Sequence, residues 1–170
     1  MCYKEQTSVD IQITEMKDDD LDEIMVIEKV SFPTPWSKNM FRKELQLQIS
    51  RNFVARAVGD EKKNIVGYIN FWIFADEVHL NNIAIRKDYR GKGVASMMIR
   101  EMIKRSWDEG ALWGSLEVRT TNYAALKLYE RYGYVIKGKR PHYYDDSKED
   151  ALIMWCDLEN AVKRISKNDA

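Results

Sequence analysis

The segment spanning residues 78–110 limits the fold of this chain more than any other. Residues 78–85 are mostly apolar and predict a strand, and the loop that follows contains Gly91 and Gly93. A helix is predicted from about Gly91 to just before Gly110, because one helical face carries an apolar stripe of Ala95, Met98, Ile99, Met102 and Ile103. A strand, a loop and a helix in this order predict a sheet covered by helices, as in α/β proteins.

The elements on either side extend this unit into one mixed sheet with helices on both faces. Strands are predicted at residues 11–16, 53–58, 65–74, 112–118, 134–139 and 151–158. Helices are predicted at residues 18–30, after Ser37, and from Asn122 to Gly133, and the prolines of residues 31–36 separate the first two. Residues 1–158 are therefore expected to form a single domain, and residues 159–170 a polar, flexible tail.

Composition narrows the class of protein further. Lys+Arg and Asp+Glu number 27 each, so the net charge is zero and gives no overall attraction to nucleic acid or to anionic membrane. Residues 1–20 are polar, and no apolar run approaches a membrane span, so a cytoplasmic protein without a membrane partner is expected. Cys2 and Cys156 are expected to be free thiols. His79 and His142 belong to no Cys/His cluster, so no metal site is predicted.

The loop between the strand and the long helix has the chemistry of a phosphate site. A helix N-terminus presents unpaired amides, glycines allow close approach, and Arg90 and Lys92 add positive charge. A glycine pair is equally explained by a loop that needs positive φ angles. The spacing of a Walker loop is absent, and Ser96 stands where the dinucleotide fingerprint requires a third glycine.

The pattern Arg90-x-x-Gly93-x-Ala95 after a strand resembles the Gln/Arg-x-x-Gly-x-Gly/Ala motif of the GNAT superfamily of N-acetyltransferases. Across residues 11–157 the chain resembles the RimI-type ribosomal-protein alanine N-acetyltransferases, with Ala95 and Thr121 as small departures. The segments that carry this resemblance are Ser31-Phe-Pro-Thr-Pro-Trp-Ser37, Asn82-Ile-Ala-Ile85, Leu116-Glu-Val-Arg119, Leu128-Tyr-Glu130 and Tyr143-Tyr144 with Glu149-Asp-Ala151.

The resemblance implies a GNAT-like fold with a mostly antiparallel seven-stranded sheet, and acetyl-CoA as the acetyl donor. The backbone of one strand is expected to pair with the pantetheine arm, the loop to hold the diphosphate, and a helix N-cap to contact the cofactor. The residues implied are Ile83, Ala84 and Ile85 on the strand, Gly91, Lys92, Gly93, Val94, Ala95 and Ser96 in the loop, and Asn122 at the cap. Asn122 is also explained as a plain N-cap.

Two residues are candidates for proton transfer. An acceptor amine must lose a proton before it attacks a thioester, and alternation along the strand places Glu117 on one face with Trp113 and Ser115. The resemblance implies that Glu117 is the general base and that Tyr129 is the general acid for the departing thiolate. A salt bridge from Glu117 to Arg119 or another cation, and a packed core tyrosine at 129, are the structural alternatives.

The acceptor is the least determined part of the function. The resemblance implies the N-terminal alanine of a small-subunit ribosomal protein, with residues 31–37 and 140–150 as walls of its site. Trp36, Tyr143 and Tyr144 suit recognition or ordinary loop packing equally. Another protein N-terminus, a lysine, a polyamine or an aminoglycoside stays open, as does a CoA-binding module without turnover. A monomer is favoured, although the sequence does not determine the oligomeric state.

Overall fold

The computed structural model describes residues 10–59 and 65–168. These residues include a sheet of seven strands: β1 (Ile11–Glu15), β2 (Ser50–Ala57), β3 (Ile65–Phe74), β4 (Glu77–Ile85), β5 (Trp113–Arg119), β6 (Val135–Arg140) and β7 (Ala151–Asp157). The strands lie in the order β1-β2-β3-β4-β5-β7-β6. Neighbouring strands are antiparallel except β4 and β5, which are parallel. The predicted mixed, mostly antiparallel seven-stranded sheet is therefore confirmed.

Helices cover both faces of this sheet, as predicted: α1 (Leu21–Ser31), α2 (Lys38–Gln46), α3 (Val94–Asp108), α4 (Tyr123–Arg131) and α5 (Leu158–Asn168). Two hydrophobic clusters result, because consecutive residues of a strand point to opposite faces. Tyr68 of β3 packs with α1 and α2 through Ile24 and Phe41. Its neighbour Ile69 belongs to the larger cluster that includes Ile99 of α3.

The C-terminal helix corrects one expectation. The polar composition of residues 159–170 predicts a flexible tail, but residues 159–168 are helical, and residues 169–170 lie outside the described ranges. Leu158, Ala161 and Ile165 are at most 1% exposed and pack in the same cluster as α3. Their spacing of three and four residues is that of one helix face. Polar residues such as Lys163 and Arg164 occupy the remaining faces and make the segment polar on average, although the stripe itself is present in the sequence.

The sheet opens between its two parallel strands. Only Glu77–Leu80 of β4 pair with Trp113–Leu116 of β5. Beyond these residues β4 remains paired with β3 as far as Ile85, and β5 remains paired with β7 as far as Arg119. A cleft therefore separates the last part of β4 from the last part of β5, and backbone groups of both strands border it.

One of the two cysteines, Cys156, lies in the described part of the chain. Cys156 is a free, buried thiol, and burial raises its pKa to about 12, so it is unreactive at neutral pH. Cys2 lies outside the described residues. Within residues 10–59 and 65–168, no helix has the length and apolar character needed to cross a bilayer.

Candidate active site

The loop that leads into α3 combines two left-handed glycines with the unpaired amides of a helix N-terminus. Gly91 and Gly93 have φ angles of 74° and 83°, in the left-handed region that favours glycine. A Cβ atom at either position would meet nothing within 4 Å, so conformation rather than crowding requires glycine here. Helix α3 starts at Val94, and the amides of Val94, Ala95 and Ser96 belong to its first turn, which has no preceding carbonyls to bind. These amides can donate to phosphate oxygens.

The two cations of the loop have different surroundings. The Arg90 guanidinium donates from Nε to the Ile85 carbonyl at 2.9 Å and from Nη2 to the Ser31 hydroxyl at 3.1 Å. Arg90 therefore braces the end of β4 against α1, in addition to adding charge near the loop. The Lys92 ammonium lies 5.0 Å from the centre of the Tyr89 ring, and Lys92 itself is exposed. Both residues are exposed, so both cations can approach a bound anion, although the Arg90 guanidinium also makes these two internal hydrogen bonds.

Residues 83–85 lie on the part of β4 that borders the cleft. Ala84 and Ile85 are buried in the two clusters on opposite faces of the sheet, and Ile83 packs against the larger one. Their side chains therefore belong to the core. The backbone on the cleft side is what a ligand can reach, although the Ile85 carbonyl already accepts from Arg90. An extended arm placed here would act as an added strand.

Glu117 lies on the opposite side of the cleft, immediately after the last residue of β5 that pairs with β4. Its side chain is 12% exposed, and its Oε2 atom is 3.1 Å from Nε2 of His79. Its Oε1 atom is 3.3 Å from Nη2 of Arg140. The hydrogen bond from His79 outweighs burial and, together with the charge of Arg140, lowers the pKa of Glu117. Glu117 is thus a carboxylate at neutral pH, and the basic side chains that contact it are His79 and Arg140 rather than Arg119.

Tyr129 is 5% exposed on the inner face of α4. Its ring centre is 5.9 Å from that of Tyr134. Burial, with a smaller contribution from Tyr144, raises its pKa, so its hydroxyl keeps its proton at neutral pH. Burial also raises the pKa of Tyr144, and the charge of Glu117 adds to this increase.

Tyr144 belongs to the loop of residues 141–150, and ion pairs hold this loop in place. The Arg119 guanidinium lies 3.8 Å from the centre of the Tyr144 ring. The acidic residues of this loop each contact a base of this chain: Asp145 with Lys148, Asp146 and Glu149 with Arg119, and Asp150 with Lys139. Their charges are therefore largely compensated, and they act mainly in shaping the loop.

The segment of residues 32–37 is anchored by a buried carboxylate that the sequence analysis does not single out. Glu28 of α1 is 1% exposed and accepts from the Trp36 amide at 2.7 Å and from the Tyr68 hydroxyl. Burial raises the pKa of Glu28, although these bonds oppose the increase. The Trp36 ring packs against Phe41, with 5.3 Å between ring centres. The half-buried Trp36 thus connects this segment to α1 through its amide and to α2 through its ring.

Asn122 caps α4, as the structural alternative predicts. Its Oδ1 atom accepts from the Ala125 amide at 3.2 Å, while the residue itself remains exposed. Ser96 of the phosphate loop also has an internal partner, because its hydroxyl lies 2.5 Å from the Tyr132 hydroxyl. The Asn122 Oδ1 atom and the Ser96 hydroxyl therefore both have structural roles. A ligand could still contact the exposed side chain of Asn122 and the backbone amide of Ser96.

His79 is the residue of this site that sequence reasoning missed. It lies on β4, and besides Glu117 it contacts the Ser115 hydroxyl through Nδ1 at 2.7 Å. Alternation puts Glu77 and His79 on one face of β4, and Ser115 and Glu117 on one face of β5. Only the parallel pairing of these strands brings the two sets together.

In the described part of the chain, no three His, Cys, Asp or Glu residues form a group able to hold a metal ion.

Known proteins match this arrangement over most of the chain. The Acetyltransferase (GNAT) family model matches residues 21–134. A Bacillus subtilis protein, provisionally named a ribosomal protein bS18-alanine N-acetyltransferase, is 35% identical over 143 residues, which cover 84% of this chain and 93% of the relative. The Escherichia coli ribosomal protein bS18-alanine N-acetyltransferase is 29% identical over 149 residues, which cover 84% of this chain and 94% of that protein.

A solved structure agrees with these sequence matches. The crystal structure of the Escherichia coli ribosomal-protein-S18-alanine N-acetyltransferase superposes with a TM-score of 0.79 at 29% identity, covering 88% of this chain and 94% of the other. The resemblance found in the sequence motifs is thereby confirmed, and with it the GNAT fold. The chain belongs to the acetyltransferase (GNAT) family and is an N-acetyltransferase.

Proposed function

We propose that this enzyme moves the acetyl group of acetyl-CoA to the N-terminal alanine α-amine of a ribosomal protein, with Glu117 as general base and Tyr129 as general acid. The observation that carries the proposal is the position of Glu117 across the cleft from residues 81–85 of β4. The names of the relatives supply the acceptor, since two of them refer to alanine of ribosomal protein bS18. The proposed acceptor is made in the cytoplasm, where the enzyme is expected to act.

The proposed mechanism is direct attack. The acceptor amine gives a proton to the Glu117 carboxylate while its nitrogen forms a bond to the thioester carbonyl carbon. The carbon–sulfur bond then breaks, and the sulfur leaves as a thiolate that accepts a hydrogen bond from the Tyr129 hydroxyl. A free α-amine has a pKa of about 8, so roughly a tenth of it is neutral at pH 7 without assistance. When the enzyme binds the neutral form of the amine, Glu117 has to accept only the one proton that the nitrogen loses during attack.

The raised pKa of Tyr129 limits how its hydroxyl assists. A thiol has an ordinary pKa of about 8.5, well below that of a buried phenol, so complete proton transfer to the thiolate is unfavourable. The general-acid role proposed for Tyr129 is therefore a hydrogen bond from its hydroxyl to the departing sulfur, without complete transfer of the proton. Tyr129→Phe is therefore expected to lower kcat by about 10- to 100-fold, the range for a hydrogen bond to a charged group. Single-turnover rates with acetyl-CoA already bound measure this step, and an unchanged rate would return Tyr129 to a packing role.

The phosphate loop gives a separate prediction for binding. Gly93→Ala is expected to weaken acetyl-CoA binding by about tenfold, because a Cβ atom disfavours the left-handed backbone that presents the loop amides. Gly59→Ala is the matched control, since Gly59 also has a positive φ of 93° and an unobstructed Cβ position but lies at the end of β2. Isothermal titration with acetyl-CoA measures both variants. Equal loss of affinity in the two variants would contradict the assignment of the loop.

The acceptor is tested by thiol release from acetyl-CoA with short peptides. A peptide that begins with the alanine N-terminus of ribosomal protein bS18 is expected to be a substrate, and the same peptide with a blocked N-terminus is not. A lysine-containing peptide with a blocked N-terminus is the second control. Release with the lysine peptide alone would mean that the acceptor is a lysine and not an N-terminal amine. Acetyl-CoA binding without thiol release in the presence of any amine would favour a regulatory module.

The monomeric state and the absence of nucleic-acid or membrane partners stay predictions.

A further inference from the structure

Four polar side chains form a continuous chain of contacts that begins at Glu117. Glu117 Oε2 lies 3.1 Å from Nε2 of His79, and Nδ1 of His79 lies 2.7 Å from the Ser115 hydroxyl oxygen. The Ser115 hydroxyl in turn donates to the Glu77 carboxylate. Ser115 is 3% exposed, and the side chain of His79 is 31% exposed against 12% for Glu117, so the imidazole has more contact with solvent than the carboxylate that it contacts.

The contacts of this chain allow the imidazole protons to be assigned. With Ser115 donating its single hydroxyl proton to Glu77, Nδ1 of His79 is the donor in its contact with Ser115. Nε2 then lies 3.1 Å from a carboxylate oxygen, and a proton between these two atoms makes the contact a hydrogen bond. We therefore assign one shared proton to the pair of Glu117 and His79.

We propose that His79 is a positioning residue that controls whether Glu117 can act as the base. This inference rests on the proposed function. While the shared proton is present, Glu117 is ion-paired with an imidazolium and has little tendency to take another proton. After His79 releases that proton to solvent, Glu117 can accept the proton of the attacking amine, and Nε2 can accept a hydrogen bond from the newly protonated carboxyl group. The N–H bond of the amine breaks, and its electron pair forms the bond to the acetyl carbon.

The other charges around His79 do not provide such a switch. Glu77 faces it through Ser115, and Arg140 of β6 contacts the far oxygen of Glu117. The strand β3 contributes Trp72, which is paired with His79 across the sheet and whose Nε1 donates to Glu44 of α2. Arginine remains charged at any physiological pH, and carboxylates titrate well below neutrality. Histidine is the group whose charge ordinarily changes between about pH 5 and 8.

The decisive experiment compares His79→Gln with the unaltered enzyme at saturating acetyl-CoA and saturating bS18-type peptide, from acidic to alkaline pH. Glutamine can donate to Glu117 but does not titrate. The ratio of kcat in the variant to kcat in the unaltered enzyme is expected to rise by about tenfold per pH unit as the pH falls below the titration of His79, since one ionisation is lost. Titration of the amine is common to both enzymes and cancels in the ratio. A ratio that is constant with pH would overturn the proposal.

A second measurement is independent of turnover and of the folding of the His79 variant. The chain has only two histidines, so correlation spectra of the imidazole nitrogens can be assigned with His142→Gln. The doubly protonated ring of His79 is expected to persist to higher pH in the unaltered protein than in Glu117→Gln, and identical behaviour would contradict the shared proton. If Glu117→Gln turns over normally, the proposed base itself is wrong. If that variant is inactive while the kcat ratio stays constant, only the role of His79 is wrong.

Discussion

Glu117→Gln is expected to lower kcat by about 100- to 1,000-fold while changing the Kd for acetyl-CoA by less than about twofold. The amide keeps the shape of the side chain and can still contact His79, but it cannot accept the proton of the acceptor amine. Binding of the cofactor is expected to persist, because the diphosphate loop lies on a different segment of the chain. Rapid-quench measurement of acetyl transfer gives the rate, and titration calorimetry gives the affinity.

The control for this variant is Glu159→Gln. Glu159 lies on α5 and pairs with Lys163 at the surface, so the same chemical change there should leave kcat unaltered. A Glu117→Gln enzyme with normal kcat would remove Glu117 from the mechanism. A variant that loses acetyl-CoA affinity as severely as rate would instead indicate a structural role for the carboxylate, because a base acts on the acceptor and not on the cofactor.

Ile165→Ala is expected to lower the free energy of unfolding by about 2 to 5 kcal/mol. Ile165 is 1% exposed and belongs to the main cluster, so truncation removes buried methylene groups and leaves a cavity. Urea denaturation followed by circular dichroism measures the change. Lys163→Ala is the matched control on the same helix, and loss of its exposed ion pair with Glu159 should cost about 0.5 kcal/mol or less. Similar values for the two variants would mean that α5 does not contribute to the core.

The elements that sequence analysis predicts well are those whose pattern is local. The stripe of α3 repeats over more than two turns and is bounded by Gly93 and Gly110, and both glycines have positive φ. Helix α5 was missed although its apolar residues Leu158, Ala161, Val162 and Ile165 repeat at helical spacing, because charged residues such as Lys163 and Arg164 make the segment polar on average. Its stability in the fold comes from the packing of this stripe in the same cluster as α3.

In the candidate site, too, local patterns predict some residues, whereas contacts between distant segments cannot be predicted from the sequence. Alternation along β5 is sufficient to place Glu117 on one face with Ser115, and the glycine spacing is sufficient to place the loop. The partners of Glu117 depend instead on non-local geometry. His79 reaches it through the register of two parallel strands, and Arg140 reaches it from the end of β6, on the far side of β7. Neither distance along the chain nor residue type indicates these contacts.

The parting of β4 and β5 has a consequence for how catalytic geometry is maintained. The groups proposed to hold the donor belong mainly to the sheet half that contains β4, whereas the proposed base belongs to the half that contains β5, and the two halves share a ladder of only four residue pairs. The distance between base and thioester is therefore set by side-chain packing across this short seam rather than by continuous backbone hydrogen bonding. Acetyl-CoA bound in this opening would contact both halves of the sheet. Binding of the donor would therefore help to hold Glu117 at the correct distance from the thioester.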